Sequence, residues 1–334
     1  MILTIDIGNS NIVLGGVEDT DIRFEARLRT DATKTSDEYA VDLKMLLDIY
    51  AVDPKAIEGI IIASVVPQVL NSLQTAVKKL TGKTSLGVGP GLKTGLNILL
   101  ESPGQMGADL VAGDVAALLE HEPPLIVVDM GTATTLSVLD KNGAHIGGCI
   151  CPGVKISLDA LTDKTALLPG LQLDKPRRAI GRNTSDAMRS GIMLGAAAMI
   201  DGLVERMEEE LGYKTTVIMT GGIAKFVAPL CKTPVIYDRD LILKGLTALY
   251  REYRRSYDQQ ELIGHDGPQG NGHAQCGVDQ LVQQLAGPDP RIGGGGIAAV
   301  SGVAGRIQCG SFHVCGLLFL CDRILSGKVS HKPD

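Results

Sequence analysis

The sequence predicts an α/β chain made of two related halves, and three features predict it. An apolar, β-branched run ends in an aspartate, a glycine and a cluster of threonines at LIVVDMGTATT, Leu125 to Thr135. The start of the chain, MILTIDIGNSN, repeats that design, with Asp6, Gly8, Asn9 and Ser10 where the later stretch has Asp129, Gly131, Thr132 and Ala133. A third apolar run, TTVIMTGGIAKF, ends in Thr220, Gly221 and Gly222. Helix-length segments separate these runs, the arrangement expected of strands in an α/β fold.

Each of the first two units has a simple physical reading. A buried strand (Ile2 to Ile5, Ile126 to Val128) carries a carboxylate to the sheet edge, and the glycine after it allows a tight turn with exposed backbone N–H groups. Such a turn can cradle phosphate: Asn9, Ser10, Thr132, Thr134 and Thr135 add polar donors, and the aspartate can hold a metal ion directly or through water. A single apolar strand ending in Asp-x-Gly is an ordinary turn. The pair points to phosphate.

Composition narrows the class. A chain of 334 residues is long enough for two domains, and 44% hydrophobic with 21% charged residues reads as soluble and globular. A formal charge of −6 gives no basic footprint, so no nucleic-acid partner is expected. Aromatics are 3% with no Trp, which disfavours stacking as the main mode of ligand recognition. Seven cysteines, an odd number, suit a reducing cytoplasm better than a disulfide scaffold. The first residues enter a strand without a basic leader, so no signal peptide is expected, and the apolar patch CGSFHVCGLLFLC is too short to span a bilayer, so no membrane partner is expected.

The remaining elements follow in order. Ile12 to Val17 and Ile22 to Leu28 continue the first strand as a meander. Thr35 or Ser36 caps a helix that starts with Asp37 and Glu38, where acidic residues suit the helix dipole. Ile57 to Pro67 is a second buried strand, and a helix from Gln68 to Leu80 follows it. LTGKTS, Leu80 to Ser85, imitates the end of a phosphate-binding loop but follows a helix and lacks the upstream glycine, so it is read as a decoy. Gly107, Ala108 and Asp109 lead into another helix; Asp109 is either its cap or a carboxylate placed to take a proton from a substrate hydroxyl. In the second half, Leu136 to Leu139 and GGCICPGV repeat the meander, Lys155 to Leu168 is expected to be helical, and a long helix follows GRNT. Val235 to Tyr237 is strand-like, and DRDLILKGLTALYREYRR ends this part as a helix.

In order along the chain, DIGNSN, TSDEY, SVVP, GPGLKTGLNI, GAD, DMGTATT, GGCICPGV, GRNT, TGG and DLILKGL together resemble type III pantothenate kinase, within the superfamily of acetate kinase, sugar kinases, Hsp70 and actin. The resemblance implies an actin-like ATPase fold of two duplicated ribonuclease-H-like domains, residues 1–120 and 121–255, with a nucleotide cleft between them. It implies ATP phosphates held by Gly8, Asn9, Ser10 and Asn11 on one side and Gly131, Thr132 and Thr134 on the other, with Thr220, Gly221 and Gly222 bordering the adenosine. By the same resemblance Asp6 holds Mg2+, Asp129 holds a monovalent cation (K+ or NH4+), Asp109 is the general base, Gly107 and Ala108 help bind substrate, and Thr184 reaches it from the partner in a homodimer. The activity implied is ATP-dependent phosphorylation of pantothenate at the start of coenzyme A synthesis, in the cytoplasm.

Two departures qualify the acceptor pocket. The family has arginine after its GAD aspartate, where this chain has Leu110, and a tyrosine in the segment that reads NILLESP here. Leucine cannot bond an anionic or polar group as arginine does. A kinase of the same fold for another small hydroxylated acceptor is therefore an alternative. A catalytically silent nucleotide-binding regulator is a third, opposed by the retention of Asp6, Asp109 and Asp129 together. Residues 256–334 depart from the family altogether: four of seven cysteines and four of six histidines lie there, in spacings that match no metal motif, and a poorly ordered extension is expected.

Overall fold

The structure, a computed structural model, describes residues 1–264, with side chains through residue 258. The expectation of a poorly ordered extension over residues 256–334 falls almost wholly outside these residues. The first half runs β1 (Ile2–Ile7), β2 (Asn11–Glu18), β3 (Asp21–Arg29), α1 (Ser36–Ile49), β4 (Gly59–Ser64), α2 (Pro67–Thr81), β5 (Leu86–Gly87) and α3 (Ala108–Glu120). The second runs β6 (Leu125–Met130), β7 (Ala133–Leu139), β8 (His145–Pro152), α4 (Val154–Asp163), α5 (Thr184–Leu211), β9 (Thr216–Thr220), α6 (Ala224–Val227), β10 (Val235–Tyr237) and α7 (Leu241–Gly264).

The duplication seen in sequence is a duplication of topology. One five-stranded sheet has the order β3-β2-β1-β4-β5, and the other, read from its opposite edge, has β8-β7-β6-β9-β10. In each, the strand bearing the Asp-x-Gly turn is central, antiparallel to the meander strand on one side and parallel to the next strand on the other. Both central strands are buried on both faces along most of their length, as their β-branched composition requires.

Local chemistry explains where the helices begin. Thr35 caps α1 in a full capping box with Glu38. The side chain of Asn183 caps α5 by accepting from the Asp186 N–H at 2.8 Å. The expected helix Lys155 to Leu168 is shorter: α4 stops at Asp163, and the chain then runs without regular structure through Pro169 and Gly170 to Asn183. The decoy behaves as one, since Gly82 ends α2 in the left-handed conformation (φ 73°) and the Lys83 ammonium donates to the Ile57 carbonyl at 2.6 Å.

α3 and α7 form a helical layer that touches both sheets. Val111 and Ala112 pack with Ile61, Leu246 and Leu249, while Ala116 and Ala117 pack with Leu125, Val127 and Ile218. A buried pair fixes α3 further: Asp114 is fully buried and its Oδ2 lies 2.7 Å from Nδ1 of His145, the first residue of β8. Burial raises the Asp114 pKa, and His145 opposes that shift. By length and composition α5 is the one helix among the described residues that could cross a membrane. Its Met193, Ala197, Ile200 and Val204 instead pack into the core of the second sheet.

Candidate active site

The two Asp-x-Gly turns meet. Ser10 and Thr132, 122 residues apart, share a hydrogen bond of 2.8 Å between their hydroxyls. Around this junction lies a cleft of about 500 Å³ lined by both turns, by Asp109 and by Thr220, Gly221 and Gly222 of the third glycine turn. Thr30, just beyond β3, braces the first turn: its hydroxyl donates to the Gly8 carbonyl at 2.6 Å and its N–H to the Ser10 carbonyl at 3.1 Å. The Gly8 N–H is taken by the Asn11 carbonyl at 3.0 Å, which leaves donation at this turn to Asn9 and Ser10.

Glycines at the second and third turns are there for close approach. A side chain at Gly153 would put its Cβ 2.1 Å from the Thr132 carbonyl oxygen, so only glycine lets the start of α4 close over the second turn. Gly221 combines a positive φ of 101° with a site where a Cβ would lie 2.8 Å from Oδ1 of Asp129. The third turn therefore rests directly on the Asp129 carboxylate.

Of the carboxylates lining the cleft, Asp6, Asp109 and Asp129 act on one another. Desolvation first, then the charges of Asp109 and Asp129, push the Asp6 carboxyl up to about 8, against an opposing pull from the Arg27 guanidinium. Burial, then Asp109, pushes Asp129 up to about 7. Crowded like charges in a low-dielectric site call for a cation. Among the described residues no three His, Cys, Asp or Glu side chains converge to form a closed metal cage. That donor set fits an ion held by one carboxylate together with substrate phosphates.

Asp109 is not the cap of α3. Gly107 occupies the cap position and Asp109 lies in the first turn, where its Oδ1 accepts from the Leu110 N–H at 2.8 Å. A Cβ on Gly107 would lie 2.4 Å from that same oxygen, so the glycine leaves room for the carboxylate.

Most of the residues singled out in the sequence come together here: Asp6, Gly8, Asn9, Ser10, Asn11, Asp109, Asp129, Gly131, Thr132, Thr220, Gly221 and Gly222 all line the cleft. Thr134 does not. Alternation along β7 turns Ala133 and Thr135 to the cleft and buries Thr134 completely, with its hydroxyl unbonded. The Thr135 hydroxyl is also buried and unbonded, and Thr135 stands directly across from Asp129 in the β6–β7 ladder. Gly107, Ala108 and Thr184, expected at the substrate, are not among the cleft-lining residues: Gly107 and Ala108 begin α3 just before Asp109, and Thr184 opens α5. The sequence reading missed Glu25, Arg27 and Arg239, which line the same cleft. No local motif marks them, because strand pairing and the turn before α7 bring them in.

Two sheets of matching order whose Asp-x-Gly turns close on one carboxylate-bearing cleft define the class, an actin-like ATPase fold. The fold is shared with a protein described as a 2-dehydro-3-deoxygalactonokinase from Sinorhizobium meliloti, at TM-score 0.50 and 13% identity, over 76% of this chain and 99% of that one. The family model for type III pantothenate kinase matches residues 2–206. The chain is 43% identical to a type III pantothenate kinase of Exiguobacterium sibiricum, over 75% of this chain and 98% of the relative. It is 41% identical to one of Halalkalibacterium halodurans, over 75% and 99%. The chain belongs to the type III pantothenate kinase family.

Proposed function

We propose that the cleft carries out the family's reaction with Asp109 as general base, on the strength of one observation above all: the Ser10–Thr132 hydrogen bond closes two phosphate turns over a cleft that also holds Asp109. The enzyme phosphorylates pantothenate with ATP to give 4'-phosphopantothenate, the first step of coenzyme A biosynthesis. In this reading the triphosphate lies against Asn9, Ser10, Gly131 and Thr132, flanked by Gly8 and Asn11, with the adenosine beside Thr220, Gly221 and Gly222. Thr134, facing the core, is left out. Asp109 takes the proton of the primary hydroxyl as its oxygen attacks the γ-phosphorus, and ADP leaves. The remaining work of the protein is alignment and charge stabilisation.

Kinases of this family use a divalent metal, and here we take it to be Mg2+, held by Asp6; bound there, it neutralises phosphate charge. Asp129 and the unbonded Thr135 hydroxyl beside it offer oxygen ligands to K+ or NH4+. We read the working enzyme as a cytoplasmic homodimer in which Thr184 reaches the partner's substrate. Exposed apolar side chains on edge strand β8 (Ile150, 76% exposed) and on the connection before Thr184 (Leu167, 91%; Ile180, 81%) support such a contact. Residues 1–120 and 121–255 are then the two halves of the clamp, with α7 returning to pack on the first sheet.

Leu110 favours a second reading, in which another small hydroxylated acceptor takes the place of pantothenate. It follows the general base directly and cannot donate a side-chain hydrogen bond. If the turn Gly107 to Leu110 holds pantothenate, Leu110→Arg lowers the KM for pantothenate about tenfold, the value of one charge-assisted contact, with the KM for ATP unchanged. An unchanged KM for pantothenate would show that the acceptor is organised elsewhere.

A further inference from the structure

One wall of the cleft carries a charge arrangement outside the motifs singled out in the sequence. Register sets it up. Asp6 pairs with Val13 across β1 and β2, and Val13 pairs with Arg27 across β2 and β3, so Asp6 and Arg27 share one sheet face about 10 Å apart in the backbone. Arg27 reaches back along that face. A Cβ on Gly222 would lie 3.2 Å from its Nη1, which brings the guanidinium to the third glycine turn. Its charge also acts on the Asp6 carboxyl. The guanidinium thus lies between the proposed metal-binding carboxylate and the proposed adenosine border, where a nucleotide's phosphates run.

Glu25 orients this arginine. It lies two residues back on the same face of β3, and its carboxylate, only 8% exposed, accepts from Arg27 Nε at 2.9 Å. The same carboxylate is paired with Arg239, from the turn between β10 and α7. Two guanidinium groups share the Glu25 carboxylate, and Arg239 also has the Asp240 carboxylate 3.8 Å from its Nε, so the Arg27 charge is only partly offset. The Arg27 side chain remains 43% exposed, so this charge is open to the cleft. Pinned guanidinium donors facing a polyphosphate site are suited to charge-assisted, forked bonding of phosphate oxygens.

We propose that Arg27 is a nucleotide-phosphate ligand of the cleft, held in place by Glu25 and with its partner's charge balanced by Arg239; this rests on the reading of the cleft as the ATP site. The test is calorimetric titration of the full chain with ATP and with adenosine, together with steady-state kinetics. Arg27→Ala raises the Kd and KM for ATP about tenfold or more, while adenosine affinity and the KM for pantothenate stay within about twofold. Arg27→Lys keeps the charge but loses the fork, and falls between wild type and alanine. Glu25→Gln, which frees the arginine without removing it, weakens ATP by about threefold. An ATP Kd within twofold of wild type in Arg27→Ala overturns the proposal, and so does an equal loss towards ATP and adenosine, which marks collapse of the cleft wall. Thr132→Val distinguishes the role of Arg27 from the location of the ATP site. If it weakens ATP while Arg27→Ala does not, the ATP site stands and Arg27 has no part in it; if neither has an effect, both readings fall.

Discussion

Asp109→Asn lowers kcat about 1,000-fold and leaves the Kd for ATP within about twofold, as expected when a positioned general base is replaced by its neutral isostere. Structure makes this substitution clean. The cap of α3 is Gly107, so the asparagine does not remove a cap, and its amide oxygen can still accept from the Leu110 N–H. The two Asp-x-Gly turns keep their Ser10–Thr132 link, which does not involve α3. Rapid-quench and steady-state kinetics with direct ATP titration check the split. A variant that keeps wild-type turnover would reduce Asp109 to a first-turn acid that suits the helix dipole.

The second large effect is on stability. Metal-free Asp6→Asn melts roughly 3–6 °C above the metal-free wild type at pH 8, and the gain fades as the pH falls towards 4. The sign follows from the direction of the shift. In the folded, metal-free chain Asp6 keeps its proton up to about 8, whereas in the unfolded chain it ionises near the ordinary carboxylate value of 3.8. Between those values the folded state binds more protons, so its stability falls as pH rises. Asparagine removes that dependence. Asp129→Asn behaves in the same way over a narrower window, because its carboxyl is pushed only to about 7. Thermal melts in chelator from pH 4 to pH 8 check both. A destabilised Asp6→Asn at pH 8 would show that the carboxylate supports the fold instead of costing it stability.

Much of the cleft could be read from the chain because its parts are local. A strand, an aspartate and a glycine turn are contiguous in sequence, and so are the Thr35–Glu38 capping box and the Gly107–Asp109 helix start. What was not legible depends on pairing between distant residues. Thr134 and Thr135 are adjacent and chemically alike, and only the phase of β7 decides which faces the cleft. Arg27 belongs to the site only because β3 pairs with β2 in a register that shifts between Gly16 and Val17, which no composition rule fixes. His145 and Asp114 look like an ordinary histidine and a helix-face aspartate until β8 and α3 are packed together. The end of α4 at Asp163 also escaped, since Leu167 and Leu168 continue an apolar pattern that the structure leaves outside any helix.

The most direct measurement is of the product itself. The full chain is incubated with ATP, Mg2+, K+ and pantothenate, and the mixture is followed by mass spectrometry. The expected outcome is pantothenate carrying one added phosphoryl group, formed in equal amount with ADP and absent with Asp109→Asn. ATP binding without any phosphorylated pantothenate would contradict it.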